Sequence, residues 1–156
     1  MEIKIRKASR KDINVIVSLA RKLADYHRKI DKFYKGGNET LRGFKKTLTR
    51  SIGKKNIRIL IAETNGKIVG YFIGRIEKSK PIFVPEKIGK ISDAFIDKKY
   101  RRKGVGKKLF FELLKWFKKN KIKYLQVSVD SRNVIGVSFW RKLGFKEFMK
   151  RMKMKI

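Results

Sequence analysis

Apolar and polar side chains alternate over residues 3–7, which is the period of a strand. Ser9-Arg10-Lys11-Asp12 then reads as a capping box. Ile13, Ile16, Val17, Ala20, Leu23 and Ala24 follow at helical spacing, so residues 10–30 are predicted as a helix. A connection over 31–37 with two glycines precedes a second helix over 39–52. Asn38 is its predicted cap, Leu41, Phe44 and Leu48 share a face, and Gly53 stands past its end. Two β-type runs, 57–62 and 67–76, flank Thr64-Asn65-Gly66-Lys67. Asn-Gly there predicts a hairpin, because a type I′ turn needs positive φ at both central residues.

Beyond a loop bracketed by Pro81 and Pro85, residues 88–96 read as a further strand. Residues 104–120 form an amphipathic helix in which Val105, Leu109, Leu113 and Phe117 recur every four positions. A strand over 122–129 follows. A helix then runs from Asn133 to Gly144, and a last strand over 145–156 has Met152, Met154 and Ile156 on one face. The order is β-α-α-β-β-β-α-β-α-β. The β-α-β crossover from 88 to 129 makes its two strands parallel, while the earlier ones suit antiparallel pairing. The expectation is one α+β domain over residues 1–156.

Composition narrows the chemistry. With no cysteine there is no disulfide framework, thiolate nucleophile or cysteine metal site, and the single histidine, His27, excludes any site needing two. No metal site is expected. No apolar run approaches the ~20 residues of a membrane span, and the N-terminal residues lack a signal-peptide core, so a cytoplasmic protein without membrane contact is expected. Abundant lysine and isoleucine with one glutamine, Gln126, fit a thermophile or an AT-rich genome. The 44 Lys/Arg against 13 Asp/Glu give a net charge of +31, which favours anionic partners. Residues 101–156 are the denser part, with 18 cations and 3 acids.

The sharpest local feature is Arg101-Arg102-Lys103-Gly104-Val105-Gly106-Lys107, between a strand and a long helix. Amides of a first helical turn, the helix dipole and nearby cations converge there on one spot, as a diphosphate requires. A Walker loop would end Gly-Lys-Ser/Thr, and the dinucleotide fingerprint needs a third glycine; both are excluded.

Arg101-x-x-Gly104-x-Gly106 after the strand Ile91-Ser92-Asp93-Ala94-Phe95-Ile96 resembles motif A of the Gcn5-related N-acetyltransferases (GNAT). Leu125 to Asp130, then Asn133, then Phe139-Trp140-Arg141-Lys142-Leu143-Gly144-Phe145 resemble that family's fifth strand, its asparagine and its helix ending in Leu-Gly-Phe. The element order matches throughout. The resemblance implies the acyl-CoA N-acyltransferase fold, a mostly antiparallel twisted sheet with helices on both faces. One parallel strand pair would form the cofactor fork.

It also implies acetyl-CoA as cofactor and transfer of its acetyl group to a primary amine (a protein N-terminus, a lysine or a small molecule) by direct attack in a ternary complex. The backbone of Ala94, Phe95 and Ile96 would pair with the pantetheine arm. The segment Arg101, Arg102, Lys103, Gly104, Val105, Gly106 and Lys107 would hold the diphosphate. Asn133 would bind near the thiol, cap its helix, or do both.

Trp140 stands where the family usually has a proton-donating tyrosine. Indole N–H is no useful acid, so Trp140 packs on the cofactor or in the core. Ser128 stands where some members carry a glutamate base. Asp93, read as sharing a strand face with Ile91 and Phe95, is the leading candidate base, with an ion-paired structural carboxylate as the alternative and Glu86 as the weaker choice. Tyr26, His27 and Asp31 lie where the family shapes its acceptor pocket. A second reading of the charge is a basic RNA- or ribosome-binding protein on this scaffold, and the Met152–Ile156 strand offers an edge for a homodimer. Such a field repels polycationic acceptors.

Overall fold

The computed structural model describes residues 1–156. Its five-stranded sheet has the order β1 (Lys4–Lys7), β2 (Ile57–Thr64), β3 (Lys67–Lys78), β4 (Lys87–Ile96), β5 (Leu125–Val127). The first three pairings are antiparallel and β4–β5 is parallel. Asn65 and Gly66 take φ of 49° and 70°, the backbone that the Asn-Gly turn between β2 and β3 demands.

Helices cover both faces. On one, α1 (Ile13–Ile30) and α2 (Asn38–Ser51) bury Ile16, Leu19, Leu41 and Leu48 against Ile59, Ile61, Tyr71, Ile73 and Phe95. On the other, α3 (Val105–Lys119) buries Leu109, Phe110, Leu113 and Phe117 against Leu60, Val69, Phe72 and Ile91, joined by Trp140 of α4 (Val134–Lys142). Neighbouring residues such as Tyr71 and Phe72 thus face opposite cores, as the period of two requires. A short 3-10 turn, Arg10–Asp12, replaces the first turn of the predicted 10–30 helix, and Gly37 rather than Asn38 occupies the cap of α2.

Two departures from the sequence pattern matter for the site. In the β3–β4 ladder Ile73 faces Asp93 while Gly74 faces Ile91, so Ser92 is a bulged residue. The extra residue resets the alternation: Ile91 faces α3, whereas Asp93 and Phe95 face α1 and α2. Asp93 therefore shares a face with Phe95 but not with Ile91. Secondly, the strand expected over 145–156 does not form, and no residue from Lys146 to Ile156 makes a backbone–backbone hydrogen bond. Alternation of Met152, Met154 and Ile156 with cations marks a period but supplies no ladder partner, and β5 is three residues long. Aromatic and ionic contacts hold the segment on loops instead: Phe148 packs on Phe83 at 5.6 Å, and Lys153 lies over the Phe33 ring at 4.0 Å.

The start of α1 is locked to the sheet by charge. Arg6 donates to both carboxylate oxygens of Asp12 at 2.8 Å and to Glu63 at 2.6 and 3.0 Å. Asp12 also accepts from the Ser9 N–H and hydroxyl, the acidic half of the predicted capping box. The Arg6 guanidinium holds the buried Asp12 carboxyl well below the usual carboxylate range. A depressed folded pKa gives stability that is present at neutral pH and lost as pH falls through that low value. Asp12→Asn is expected to cost about 2–3 kcal/mol at pH 7, discounted because Arg6 is itself partly exposed. Urea unfolding measures this, and the gap from the parent should shrink under strong acid.

Candidate active site

The parallel ladder holds only Gly89–Leu125, Lys90–Gln126 and Ile91–Val127, and it ends one residue before the Ser92 bulge. A bulge bends its strand, so β4 beyond Ile91 and the chain after Val127 form two arms of a fork. The register identifies which edge groups face the gap. Asp97 N–H donates to Val69 C=O at 2.9 Å, so Gly70–Ile96 is a non-hydrogen-bonded pair and the ladder bonds join Phe95 to Tyr71. Ala94 and Ile96 therefore turn their N–H and C=O groups into the fork, while those of Phe95 face β3. Of the three residues expected to pair with an extended ligand, two turn edge groups without a ladder partner toward the gap. Arg101 occupies one of these, donating from Nε to the Ile96 carbonyl at 2.9 Å with its guanidinium over the Phe95 ring.

The loop into α3 lies just past this edge. None of the backbone N–H groups from Arg102 to Lys107 has a backbone acceptor; the first helical bond runs from Lys108 to Gly104. Arg102 and Gly104 adopt φ of 59° and 81° and curl the chain about one point. Gly104 is the helix cap, with open space where a Cβ would stand. Gly106 differs: a Cβ there would meet the Phe139 ring at 3.0 Å, so it allows α3 to approach α4. Arg102, Lys103 and Lys107 are exposed around the loop, whereas the Arg101 side chain is turned back onto β4. Six amides without backbone acceptors beside three cations suit a diphosphate.

Asp93 sits on the β4 arm, on the α1/α2 side. Its Oδ1 accepts from the Tyr71 hydroxyl at 2.7 Å. Nine of the 13 carboxylates lie in ion pairs, and Asp93 does not. Burial pushes its carboxyl up from the ordinary value, against the pull of Tyr71, the Ala94 N–H and the charge of Arg75. The ion-paired alternative is thus not what the structure contains. Glu86 is exposed on the loop before β4.

Comparison with known proteins agrees with this fold. The family model described as acetyltransferase (GNAT) family matches residues 21–145. The chain belongs to the GNAT acetyltransferase family. It is 26% identical over 149 residues to an uncharacterised N-acetyltransferase of Methanocaldococcus jannaschii, covering 92% of this chain and 60% of that protein. The chain thus spans about three fifths of that relative's length. The tetramutant of the BH1408 protein of Bacillus halodurans superposes with TM-score 0.89 at 19% identity, over 98% of this chain and 99% of that one. An aminoglycoside 6′-N-acetyltransferase of Acinetobacter haemolyticus gives 0.79 at 17%, over 98% and 97%. A predicted acetyltransferase of Clostridium acetobutylicum solved with acetyl-CoA gives 0.77 at 18%, over 99% and 96%. At these identities the superpositions show the fold.

Within this GNAT scaffold the other predicted residues take varied places. Asn133 caps α4, its Oδ1 accepting from Gly136 N–H at 2.9 Å and from the Tyr26 hydroxyl at 3.2 Å, which leaves Nδ2 as a donor. Trp140, expected to pack on the cofactor or in the core, is 7% exposed and packs against Phe72, Phe139 and Phe145, so it is a core residue. Its position on the inward stripe of α4 decides this.

Asp31 is likewise not a free acceptor-side carboxylate. It pairs with Lys153 and with Arg132 at 3.0 Å, and these contacts hold it well below the usual carboxylate range. Arg132 also grips Asp130, which accepts from the Tyr34 hydroxyl at 2.7 Å; Tyr34 stacks on His27 at 5.0 Å. Burial lowers the His27 pKa, opposed by the Asp130 charge.

Together these contacts clasp the α1–α2 loop to the β5–α4 loop, and the Tyr34–Asp130 and Arg132–Asp31 pairings carried no sequence signal because their partners lie 96 and 101 residues apart. Tyr71 was also missed, since it reads as one more apolar position of a strand. Arg132→Ala is expected to speed amide exchange over residues 31–37 while leaving β3 protected. Unchanged exchange in that loop would show that the clasp contributes nothing.

Proposed function

We propose that the chain is an acetyl-CoA-dependent N-acetyltransferase that acetylates a primary amine by direct attack in a ternary complex. The observation carrying this reading is the conjunction, within one fork, of strand-edge groups without a ladder partner, six amides without backbone acceptors and an unpaired carboxylate. The donor set fits the cofactor. The amides of Arg102 to Lys107, with the exposed cations, would hold its diphosphate, and the free edge of Ala94 and Ile96 would bind its extended amide arm as a strand binds a strand. When bound, acetyl-CoA supplies the activated acyl group.

The residues of the chain do the rest. An amine attacks only when uncharged, and its proton must leave. Asp93 accepts that proton, and its raised pKa brings it closer to the amine's than an ordinary carboxylate would be. An α-amino group, near ~8, needs less help than a lysine, near ~10.4. The acceptor is a protein N-terminus, a lysine side chain or a small-molecule amine, and the field of +31 disfavours polycations at a distance. The buried Trp140 takes no part in proton transfer. The RNA- or ribosome-binding alternative draws on charge alone, with no site geometry behind it.

Asp93→Asn is expected to lower kcat by about 100-fold or more with the KM for acetyl-CoA within about twofold, measured with an amine acceptor chosen from a panel of N-terminal peptides, amino acids, polyamines and aminoglycosides. A parental rate would remove the base role. Gly104→Ala is expected to weaken acetyl-CoA binding by about tenfold through lost loop geometry. Gly53→Ala serves as control: Gly53 has a matching φ of 82° in equally open space. Its stability loss should be similar, at about 1–2 kcal/mol, with cofactor affinity intact by calorimetric titration.

A further inference from the structure

We propose that Tyr71 is a positioning residue for the reaction, fixing the orientation of the Asp93 carboxylate and keeping it ionised so that it can take the amine's proton. This rests on the base role given to Asp93 above.

Tyr71 is fully buried on β3, directly among Ile59, Ile61, Ile73 and Phe95, with Phe44 of α2 at 6.4 Å between ring centres. A buried phenol needs a partner for its hydroxyl. Here the partner is a carboxylate two strand positions from the fork, at 2.7 Å, a short charge-assisted bond. Asp93 is there because of the Ser92 bulge, which turns it onto the Tyr71 face.

The surroundings make this bond decisive. The side chains that α1 and α2 pack onto this face include the apolar Ile13, Ile16, Leu19, Leu41 and Leu48. From β3 the charged neighbour is Arg75, which donates to the hydroxyls of Ser92 and Ser51 and acts on Asp93 only through its field. No cation pairs with Asp93. In such a place burial raises the pKa of a carboxyl, and hydrogen bonds to its charged form oppose that rise. Two donors favour the charged form, the Ala94 N–H and the Tyr71 hydroxyl.

Tyr71 cannot itself serve as the acid. Burial, and then the adjacent charge, hold its own ionisation well above the ordinary tyrosine value, so it remains a donor over the whole working range of pH. It acts through Asp93 and not on the substrate.

The test is Tyr71→Phe, which keeps the ring and removes the donor. The raised carboxyl means that activity falls as pH drops through the Asp93 pKa. Losing a hydrogen bond to the charged form moves that acidic limb of kcat/KM up by about one to two pH units. Activity should recover to within a few fold of the parent on the plateau above the limb, with the KM for acetyl-CoA unchanged. A direct readout accompanies it: the carboxyl carbon of Asp93, followed by 13C NMR in the protein without cofactor, should titrate at higher pH in Tyr71→Phe than in the parent.

An unshifted limb and an unshifted carboxyl titration, in a variant shown to be folded by its thermal transition, would overturn the proposal. Should the variant fail to fold, the carboxyl titration in Arg75→Gln decides it. A modest rise leaves Tyr71 as the principal support, and a shift of the full size predicted for Tyr71→Phe assigns that role to Arg75 and overturns the proposal. Asp93→Asn is run beside them. If it collapses turnover while Tyr71→Phe shifts nothing, this inference alone falls; if it keeps full turnover, the base reading falls and takes the catalytic role of Tyr71 with it.

Discussion

A folded chain must give nearly every backbone N–H and C=O group a partner, and the site of this protein consists of places where the chain does not. Residues Arg102 to Lys107 present amides without backbone acceptors, and Ala94 and Ile96 present edge groups that β5 has moved away from. Where these groups reach solvent, water satisfies them at little cost. A ligand bearing a diphosphate and an extended amide arm replaces that water group for group. Recognition of this kind depends on backbone path more than on side-chain identity, which is why the loop tolerates so many lysines yet requires a left-handed turn at Gly104.

Charge operates at a different scale. With 44 cations and 13 carboxylates, an acid of this chain that stays out of an ion pair is unusual. Elsewhere the carboxylates are structural: Asp12 locks the entry of α1 to the sheet, and Asp31 with Asp130 ties two loops across the chain. Asp93 lies on the face that α1 and α2 cover with apolar side chains, without an ion-pair partner and with Arg75 acting on it only through its field. The same cores that stabilise the sheet set the proton affinity of the site.

The elements whose periodicity is local were readable from the sequence. The stripe Val105, Leu109, Leu113, Phe117 announced α3, and Asn65-Gly66 announced its hairpin. The Gly104 loop was readable because a helix start after a strand has a characteristic composition. The features that were not readable depend on distant partners. The reach of β5 is set by a bend in β4, and the 145–156 segment alternates without finding a ladder. Trp140 has the composition of a ligand-facing residue but lies on the inward side of α4. The pairing of Tyr71 with Asp93 depends on a bulge, and an extra residue in one strand leaves no mark in that strand's own hydrophobic pattern.

That surplus residue has a consequence for how such a site can arise or be lost. Deleting Ser92 would change no side chain that contacts a ligand. It would let β4 run straight with Asp93 directly after Ile91, so that Asp93 kept its place opposite Ile73 on the α1/α2 face while the ladder to β5 could continue past Ile91. The fork and the exposed edge would close together while the carboxylate kept its face and the hydrophobic composition of the strand stayed the same. The shape of the fork is thus encoded partly in length, and a comparison of residue types alone, aligned without regard to one-residue gaps, would miss the position on which it turns.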